Sequence, residues 1–184
     1  MRLFTGISIP DNVIGSLDRL MSKLKPTARI KWSAPENFHI TTKFIGEWPE
    51  TRLDELKRCL ATVPVPGPLA IKVSGLGWFP NPHSPRVFFA AIHGPEALAQ
   101  LAADTDAATA TLGIEREAKK FSPHLTLARI KEPDPLIELK RAVAGLPSVE
   151  FGEFTADHFS LYLSKTSPAG SVYTQLAEFP FSLK

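Results

Sequence analysis

Two tripeptides in this sequence place a histidine two residues before a threonine: His39-Ile40-Thr41 and His124-Leu125-Thr126. Histidine titrates near neutral pH, so one imidazole of such a pair can accept a proton while the other donates one. A threonine hydroxyl can donate a hydrogen bond to a phosphate oxygen and stabilise negative charge in a transition state. Two imidazoles and two hydroxyls in one pocket would therefore suit phosphodiester chemistry without a metal ion.

Strand periodicity predicts that each tripeptide has a functional face. Residues i and i+2 of a strand share a face, so each histidine points the same way as its threonine. The residues expected on the opposite face are apolar in both strands: Phe38, Ile40 and Phe44 in the first, and Leu125 and Leu127 in the second. A strand with bulky apolar residues on one side and His plus Thr on the other is typical of the border between a core and a site.

Two basic residues near the tripeptides are further candidates for phosphate binding. Lys43 lies four residues after His39, on the same face by strict alternation, and its stem is long enough to reach a phosphate or an RNA backbone. Arg129 falls on the face opposite to His124 by the same rule, so it reaches the site only from the rim or through a β-bulge.

The occurrence of two tripeptides carries more weight than either alone. A single His-x-Thr is typical of a solvated strand face. With five histidines in the chain, average composition would give two followed by an apolar residue and threonine in fewer than about one chain in a hundred. The pair therefore favours a common function.

The pattern around the tripeptides repeats along the chain. Each half reads as strand, helix, histidine strand, helix, strand, on either side of a turn-rich stretch at residues 80–85. We expect helices beginning near residues 11, 49, 95 and 134. We expect strands over 2–9, 37–45, 69–79, 86–92, 124–130 and 172–179, with 149–163 as one strand or a bent pair.

The repeat predicts an architecture. Halves of about 1–82 and 83–184 indicate a structural repeat within a single bilobal domain, 1–184. We expect two pseudo-symmetric lobes with a cleft between them, a common place for a ligand site.

Composition narrows the classes of protein. The 184 residues carry a formal charge of +2 and a single cysteine, Cys59, so an intrachain disulfide and a long basic stripe are excluded. The chain shows neither a signal peptide nor a membrane-spanning stretch, and we expect a cytoplasmic protein. The spacing of the histidines and of the single cysteine does not match that of zinc ligands, so we expect no zinc site. Four aromatic residues are candidates for base stacking, although core packing is their more common role: Phe4, Trp32, Trp78 and Phe79.

The sequence resembles the 2H phosphoesterase superfamily, in particular the RNA 2',3'-cyclic phosphodiesterase (2'-5' RNA ligase-like) family. The resemblance covers nearly the whole chain. It rests on RLF at 2–4, ENFHITTKFIGE at 36–47, LGWFP at 76–80, FSPHLTLAR at 121–129 and LYLS at 161–164. Thr42 departs from the family pattern, which has an apolar residue there.

The resemblance implies an α+β fold with an antiparallel sheet in each lobe, helices on the outside and the active site in the cleft. It implies hydrolysis of a terminal 2',3'-cyclic phosphate to a 2'-phosphate, with His39 as general acid and His124 as general base. Thr41 and Thr126 would bind the phosphate, as would Arg129. No metal or cofactor is expected, the partner is an RNA end, and we expect a monomer.

Several alternatives stay open from sequence. The acid and base could be exchanged in so symmetric a site, and the resemblance also implies reversible joining of RNA ends through a 2'-5' bond. The scaffold could instead bind RNA ends or nucleotides without turnover, although binding alone does not need two titrating groups. It could also act on 2'-5' oligonucleotides or small cyclic nucleotides.

Overall fold

The computed structural model describes residues 1–132, 134–168 and 170–182, which form nine β-strands and four α-helices. The strands are β1 (Arg2–Ser8), β2 (Lys31–Trp32), β3 (His39–Glu47), β4 (Leu69–Phe79), β5 (Val87–His93), β6 (His124–Arg129), β7 (Glu150–Ala156), β8 (His158–Ser167) and β9 (Gly170–Pro180). The helices are α1 (Asp11–Leu24), α2 (Leu53–Ala61), α3 (Glu96–Ala110) and α4 (Ile137–Ala144). The periodicity predicted all of these except the two-residue strand β2, with β7 and β8 left open as one strand or a bent pair.

The strands form two antiparallel sheets. The first sheet has the order β3-β1-β8-β9, and the second has the order β2-β6-β5-β4-β7. Each sheet holds one histidine strand, β3 in the first and β6 in the second, and these two strands contact each other where the sheets meet. The expected α+β architecture of two sheets with helices outside is confirmed.

The sheets do not coincide with the halves of the sequence. β4 belongs to the first half but pairs in the second sheet, while β8 and β9 come from the second half and pair in the first. The segment expected as one strand or a bent pair is two strands that change sheets at Asp157. The turn at residues 80–85 therefore separates two sequence repeats but not two lobes.

Helices cover the outer side of each sheet. α1 packs on β7 and α4 behind the second sheet, while α3 packs on β3 and α2 behind the first. α1 has no side-chain N-cap, so packing holds it in place. One stripe of the helix is buried, and each such side chain stabilises the fold by roughly 1.5–3 kcal/mol relative to exposure. The stripe consists of Val13, Leu17, Leu20, Met21 and Leu24.

A β-bulge follows the threonine of each tripeptide. The pairing of β1 with β3 skips Thr42, since Thr5 is opposite Lys43 and Gly6 is opposite Thr41. The pairing of β5 with β6 skips Leu127 in the same way. An extra residue reverses the face of every side chain beyond it. Strict alternation therefore fails after both threonines.

Candidate active site

The two tripeptides lie on the strands where the sheets meet. His39 and Thr41 of β3 are half-buried, as are His124 and Thr126 of β6. β3 and β6 contact each other where the sheets meet, so the two tripeptides lie on neighbouring strands. The structure therefore brings together the pair that sequence spacing predicted.

The two imidazoles are held by the same hydrogen bond. Nδ1 of His39 lies 2.7 Å from the carbonyl oxygen of Asn37, and Nδ1 of His124 lies 2.9 Å from that of Ser122. A carbonyl oxygen only accepts, so each Nδ1 carries a proton and donates it. Each neutral ring therefore has its lone pair on Nε2, the nitrogen available for proton transfer.

The environments of Nε2 differ. Nε2 of His39 lies 2.9 Å from the hydroxyl oxygen of Thr41, which donates to the neutral ring. Among the described residues, Nε2 of His124 has no hydrogen-bond partner. One proton-transfer nitrogen therefore has a hydroxyl partner, and the other is open.

The imidazole pKa values are both low. Burial lowers the pKa of His39 to about 4, and the charges of Arg129 and His124 lower it as well, against the hydrogen bond to Asn37. Burial and Arg129 also lower the pKa of His124, by a smaller amount. Both rings are therefore mostly neutral at pH 7.

Aromatic rings pack around each imidazole. The ring of His39 lies 4.5 Å from Phe4 and 5.1 Å from Tyr173, measured between centroids. The ring of His124 lies 5.0 Å from Phe79 and 5.5 Å from Phe89. Sequence reasoning gave no role to the aromatic residues at 89 and 173, whose contacts with the imidazoles depend on how the strands pair. Their rings exclude water and help to lower the imidazole pKa values.

Gly6 lies against the backbone of β3 beside His39. A Cβ at this position would lie 2.8 Å from the carbonyl oxygen of Ile40 and 3.5 Å from Cδ2 of His39. The first distance is a clash with backbone of β3 itself. Gly6 thus allows β1 to approach β3 closely beside the imidazole.

The expectation that Lys43 shares the face of His39 is wrong. The bulge at Thr42 turns Lys43 toward α3, where only 2% of the residue is exposed. Its Nζ lies 2.8 Å from a carboxylate oxygen of Asp106 and donates a 2.6 Å hydrogen bond to the carbonyl oxygen of Glu115. Lys43 is therefore held in an ion pair behind the sheet and lies away from the candidate site.

The second bulge has the opposite outcome for Arg129. Because Leu127 is skipped, Arg129 pairs with Val87 on the face that carries Thr126, and its side chain is exposed. Its charge acts on both imidazoles. The bulge thus places Arg129 beside the two tripeptides, which strict alternation excluded.

The bulge in β3 also changes the expected position of Phe44. This residue was expected in the core, but it is 54% exposed and opposite Phe4. Thr42 stays on the core side as expected, where its hydroxyl lies 2.8 Å from that of Thr5 in a buried hydrogen bond. A polar partner therefore accompanies the departure from the family pattern at position 42.

Within the described ranges, no three His, Cys, Asp or Glu side chains are grouped as metal ligands would be. None of the helices there is long and apolar enough to cross a bilayer.

Known proteins match this chain over almost its full length. It is 34% identical to the RNA 2',3'-cyclic phosphodiesterase of Methanocaldococcus jannaschii over 179 residues, 97% of this chain and 100% of that one. The enzyme of the same name from Thermus thermophilus is 34% identical over 187 residues, covering 97% and 89%. A solved Thermus thermophilus protein superposes with a TM-score of 0.82 at 33% identity, covering 98% of each chain. Escherichia coli LigT, solved with 3'-AMP, shares the fold at 22% identity, with a TM-score of 0.82 and coverage of 99% and 98%.

Two facing antiparallel sheets, each with a His-x-Thr strand, define the class of the 2H phosphoesterases. The sequence model of the family described as LigT like phosphoesterase matches residues 7–89 and again residues 92–173. The chain belongs to this family.

Proposed function

We propose that this protein hydrolyses the terminal 2',3'-cyclic phosphate of RNA to a 2'-phosphate and a free 3'-hydroxyl. The observation that carries the proposal is the matched pair of imidazoles, each fixed through Nδ1 and each offering Nε2 for proton transfer. Relatives at 34% identity over nearly the whole chain are named for this activity.

The reaction needs one proton acceptor and one proton donor. In the proposed sequence, Nε2 of His124 takes a proton from water as its oxygen bonds to phosphorus. The bond from phosphorus to O3' then breaks, and Nε2 of a protonated His39 gives its proton to O3'. The open Nε2 of His124 suits the first role. With an RNA 5'-hydroxyl in place of water, the same transfers in the same direction would join two RNA ends through a 2'-5' bond.

The threonines and Arg129 are proposed to hold the phosphate. The Thr41 and Thr126 hydroxyls donate to its non-bridging oxygens, and the Arg129 guanidinium balances its charge. When Thr41 turns its hydroxyl to the phosphate, Nε2 of His39 is released for proton transfer. A bound phosphate anion also raises the pKa of both imidazoles, which allows His39 to be protonated near neutral pH.

The pKa shifts of the two imidazoles favour the reverse assignment of roles. His124 has the smaller downward shift, so it is the ring more readily protonated before substrate binds. Exchanged roles are therefore the second candidate mechanism, with the same substrate and product.

The proposal is tested by following a short RNA with a 2',3'-cyclic end in EDTA and separating the 2'- and 3'-phosphate products by chromatography. We expect conversion to the 2'-phosphate alone. A 3'-phosphate product, or a requirement for added metal, would contradict the mechanism. Tight binding of product without turnover would instead indicate a binding module, and parallel assays with 2'-5' linked oligomers and cyclic mononucleotides identify a different 2H activity.

A further inference from the structure

A group of basic side chains continues outward from Arg129. Lys31 of β2 is the direct register partner of Arg129 in β6, so their side chains lie next to each other on one face of the second sheet. Arg29 lies just before β2 and Lys131 just after β6. Both line the same depression as Lys31 and Arg129, which has a volume of about 210 Å³. We call Arg29, Lys31, Arg129 and Lys131 the basic track.

The charges of the basic track are exposed and available. All four residues are exposed, and none of them forms an ion pair with another described residue. Glu132 and Asp134 also line the depression, but Asp134 accepts a hydrogen bond from the backbone amide of Leu136 through Oδ1. Four cations against two carboxylates in one depression is a marked local excess for a chain with a formal charge of only +2.

The position of the basic track relates it to the reaction. Arg129 belongs both to the track and to the candidate site, because the bulge at Leu127 places it on the face that carries Thr126. A cyclic phosphate closes the 3' end of an RNA, so every further phosphate of the substrate lies on its 5' side. A strand that leaves the site past Arg129 meets Lys31 next.

We propose that the basic track binds the backbone phosphates 5' of the cyclic end, so that the enzyme favours oligonucleotides over cyclic mononucleotides. This inference rests on the proposed function for the placement of the cyclic end. Lysine and arginine contacts to phosphates supply sequence-independent affinity that weakens as salt rises. The track therefore selects for chain length and not for base identity.

The test compares two substrates, 2',3'-cyclic AMP and a tetranucleotide with a 2',3'-cyclic end, on the wild type and on the triple variant Arg29→Gln, Lys31→Gln, Lys131→Gln. Arg129 is left intact because it belongs to the candidate site. We expect kcat/KM for the tetranucleotide to fall on the order of tenfold. The kcat/KM for 2',3'-cyclic AMP should be unchanged. Lys23→Gln, an exposed lysine on α1, is the matched control and should alter neither.

Salt dependence supplies a second readout. For single strands, each phosphate contact contributes about 0.7 to the slope of log affinity against log salt, so the triple variant should lose a slope of about 2. Equal losses for both substrates, or no loss for the tetranucleotide, would overturn the inference.

A binding measurement separates this inference from the proposed function. The affinity of a single-stranded RNA ending in a 2'-phosphate is measured by fluorescence anisotropy on the same variants, with free phosphate as competitor. If the wild type hydrolyses neither substrate, the proposed function fails, yet the loss of RNA affinity in the triple variant still decides whether the track binds a polynucleotide. An unchanged RNA affinity in the triple variant would contradict RNA binding by the basic track, whether or not the wild type hydrolyses the substrates.

Discussion

The strands β3 and β6 share the His-x-Thr pattern, the hydrogen bond from Nδ1 to a backbone carbonyl oxygen, and a bulge after the threonine. They differ beyond the bulge. The position two residues after the first bulge holds Phe44, and the same position after the second holds Arg129. The residue between is a buried Lys43 in β3 and a buried Ala128 in β6. The repeat thus preserves the reacting groups, while the flanking positions give the two sides different charge.

The same contrast extends to the imidazoles. His39 has the lower pKa, and its Nε2 accepts a hydrogen bond from the Thr41 hydroxyl. Nε2 of His124 has no hydrogen-bond partner among the described residues. Two copies of one motif therefore differ in proton affinity because their surroundings differ. This asymmetry allows one ring to be the acid and the other the base.

The largest effect is expected from removing the imidazole that protonates the leaving oxygen. His39→Ala should lower the rate on an RNA cyclic phosphate by about 10²- to 10⁴-fold. Much of that loss should disappear when sulfur replaces O3', since a thiolate leaves without a proton. The loss in His124→Ala should remain. Rescue of His124→Ala instead would show that the roles of the two rings are exchanged.

Breaking the ion pair behind β3 should affect stability. Lys43→Met leaves Asp106 largely buried with Arg116 as its remaining side-chain partner, and we expect the free energy of unfolding in urea to fall by about 3 kcal/mol. Lys165→Met, an exposed position, is the control and should change it by less than about 0.5 kcal/mol. Equal effects of the two changes would contradict the structural role of Lys43.

Asp106 gives this prediction a pH dependence. Burial opposes ionisation, but hydrogen bonds from Lys43, the Glu117 amide and Arg116 hold the pKa of Asp106 below its usual range. Its stabilising contribution is thus present above the pKa of the unfolded chain and is lost as pH falls through the folded pKa. Lys43→Met should reduce this acid sensitivity, as measured by urea unfolding at several pH values.

The low pKa of His39 predicts a loss of stability in acid. Its pKa is 6.5 in the reference state and about 4 in the fold, so between these values the unfolded chain binds one more proton. The folded state should lose about 3 kcal/mol as pH falls from 6.5 to 4. His39→Gln should lack this loss, and His124→Gln should retain most of it. Identical acid profiles of the two variants would remove the asymmetry between the rings.

The smallest effect is expected at Arg129. Its charge lowers the pKa of both imidazoles, so Arg129→Gln should raise both pKa values in an NMR titration of the ring protons. Phe44→Gln is the matched change after the other bulge and removes no charge, so it should leave both pKa values unchanged. Unchanged titrations in Arg129→Gln would place its guanidinium farther from the site.

Sequence periodicity predicts much of this molecule. The apolar spacing predicted the four helices and every strand except β2, with β7 and β8 left open as one strand or a bent pair. Periodicity could not predict the bulges, because the register between strands distant in sequence decides which residue is skipped. That single effect explains why strict alternation placed Lys43, Phe44 and Arg129 on the wrong faces.

The exchange of strands between sheets was also invisible to sequence. The halves repeat the same order of elements, but β4 and β8 each cross to the sheet of the other half. The pattern within a strand indicates which of its faces is buried but does not identify its partner, because pairing depends on segments distant in sequence. The aromatic shell around the imidazoles depends on this exchange, because Tyr173 reaches His39 from β9.

The two histidines are proposed to act as one acid–base pair on a cyclic phosphate. The most direct test is single-turnover hydrolysis of an RNA 2',3'-cyclic phosphate in EDTA by the wild type, His39→Ala, His124→Ala and the double variant. His83→Ala, in an exposed turn, serves as control. We predict that each single loss is about as severe as the double loss, since the groups act as a unit, and that the control retains full activity. Full activity in both single variants would contradict the claim.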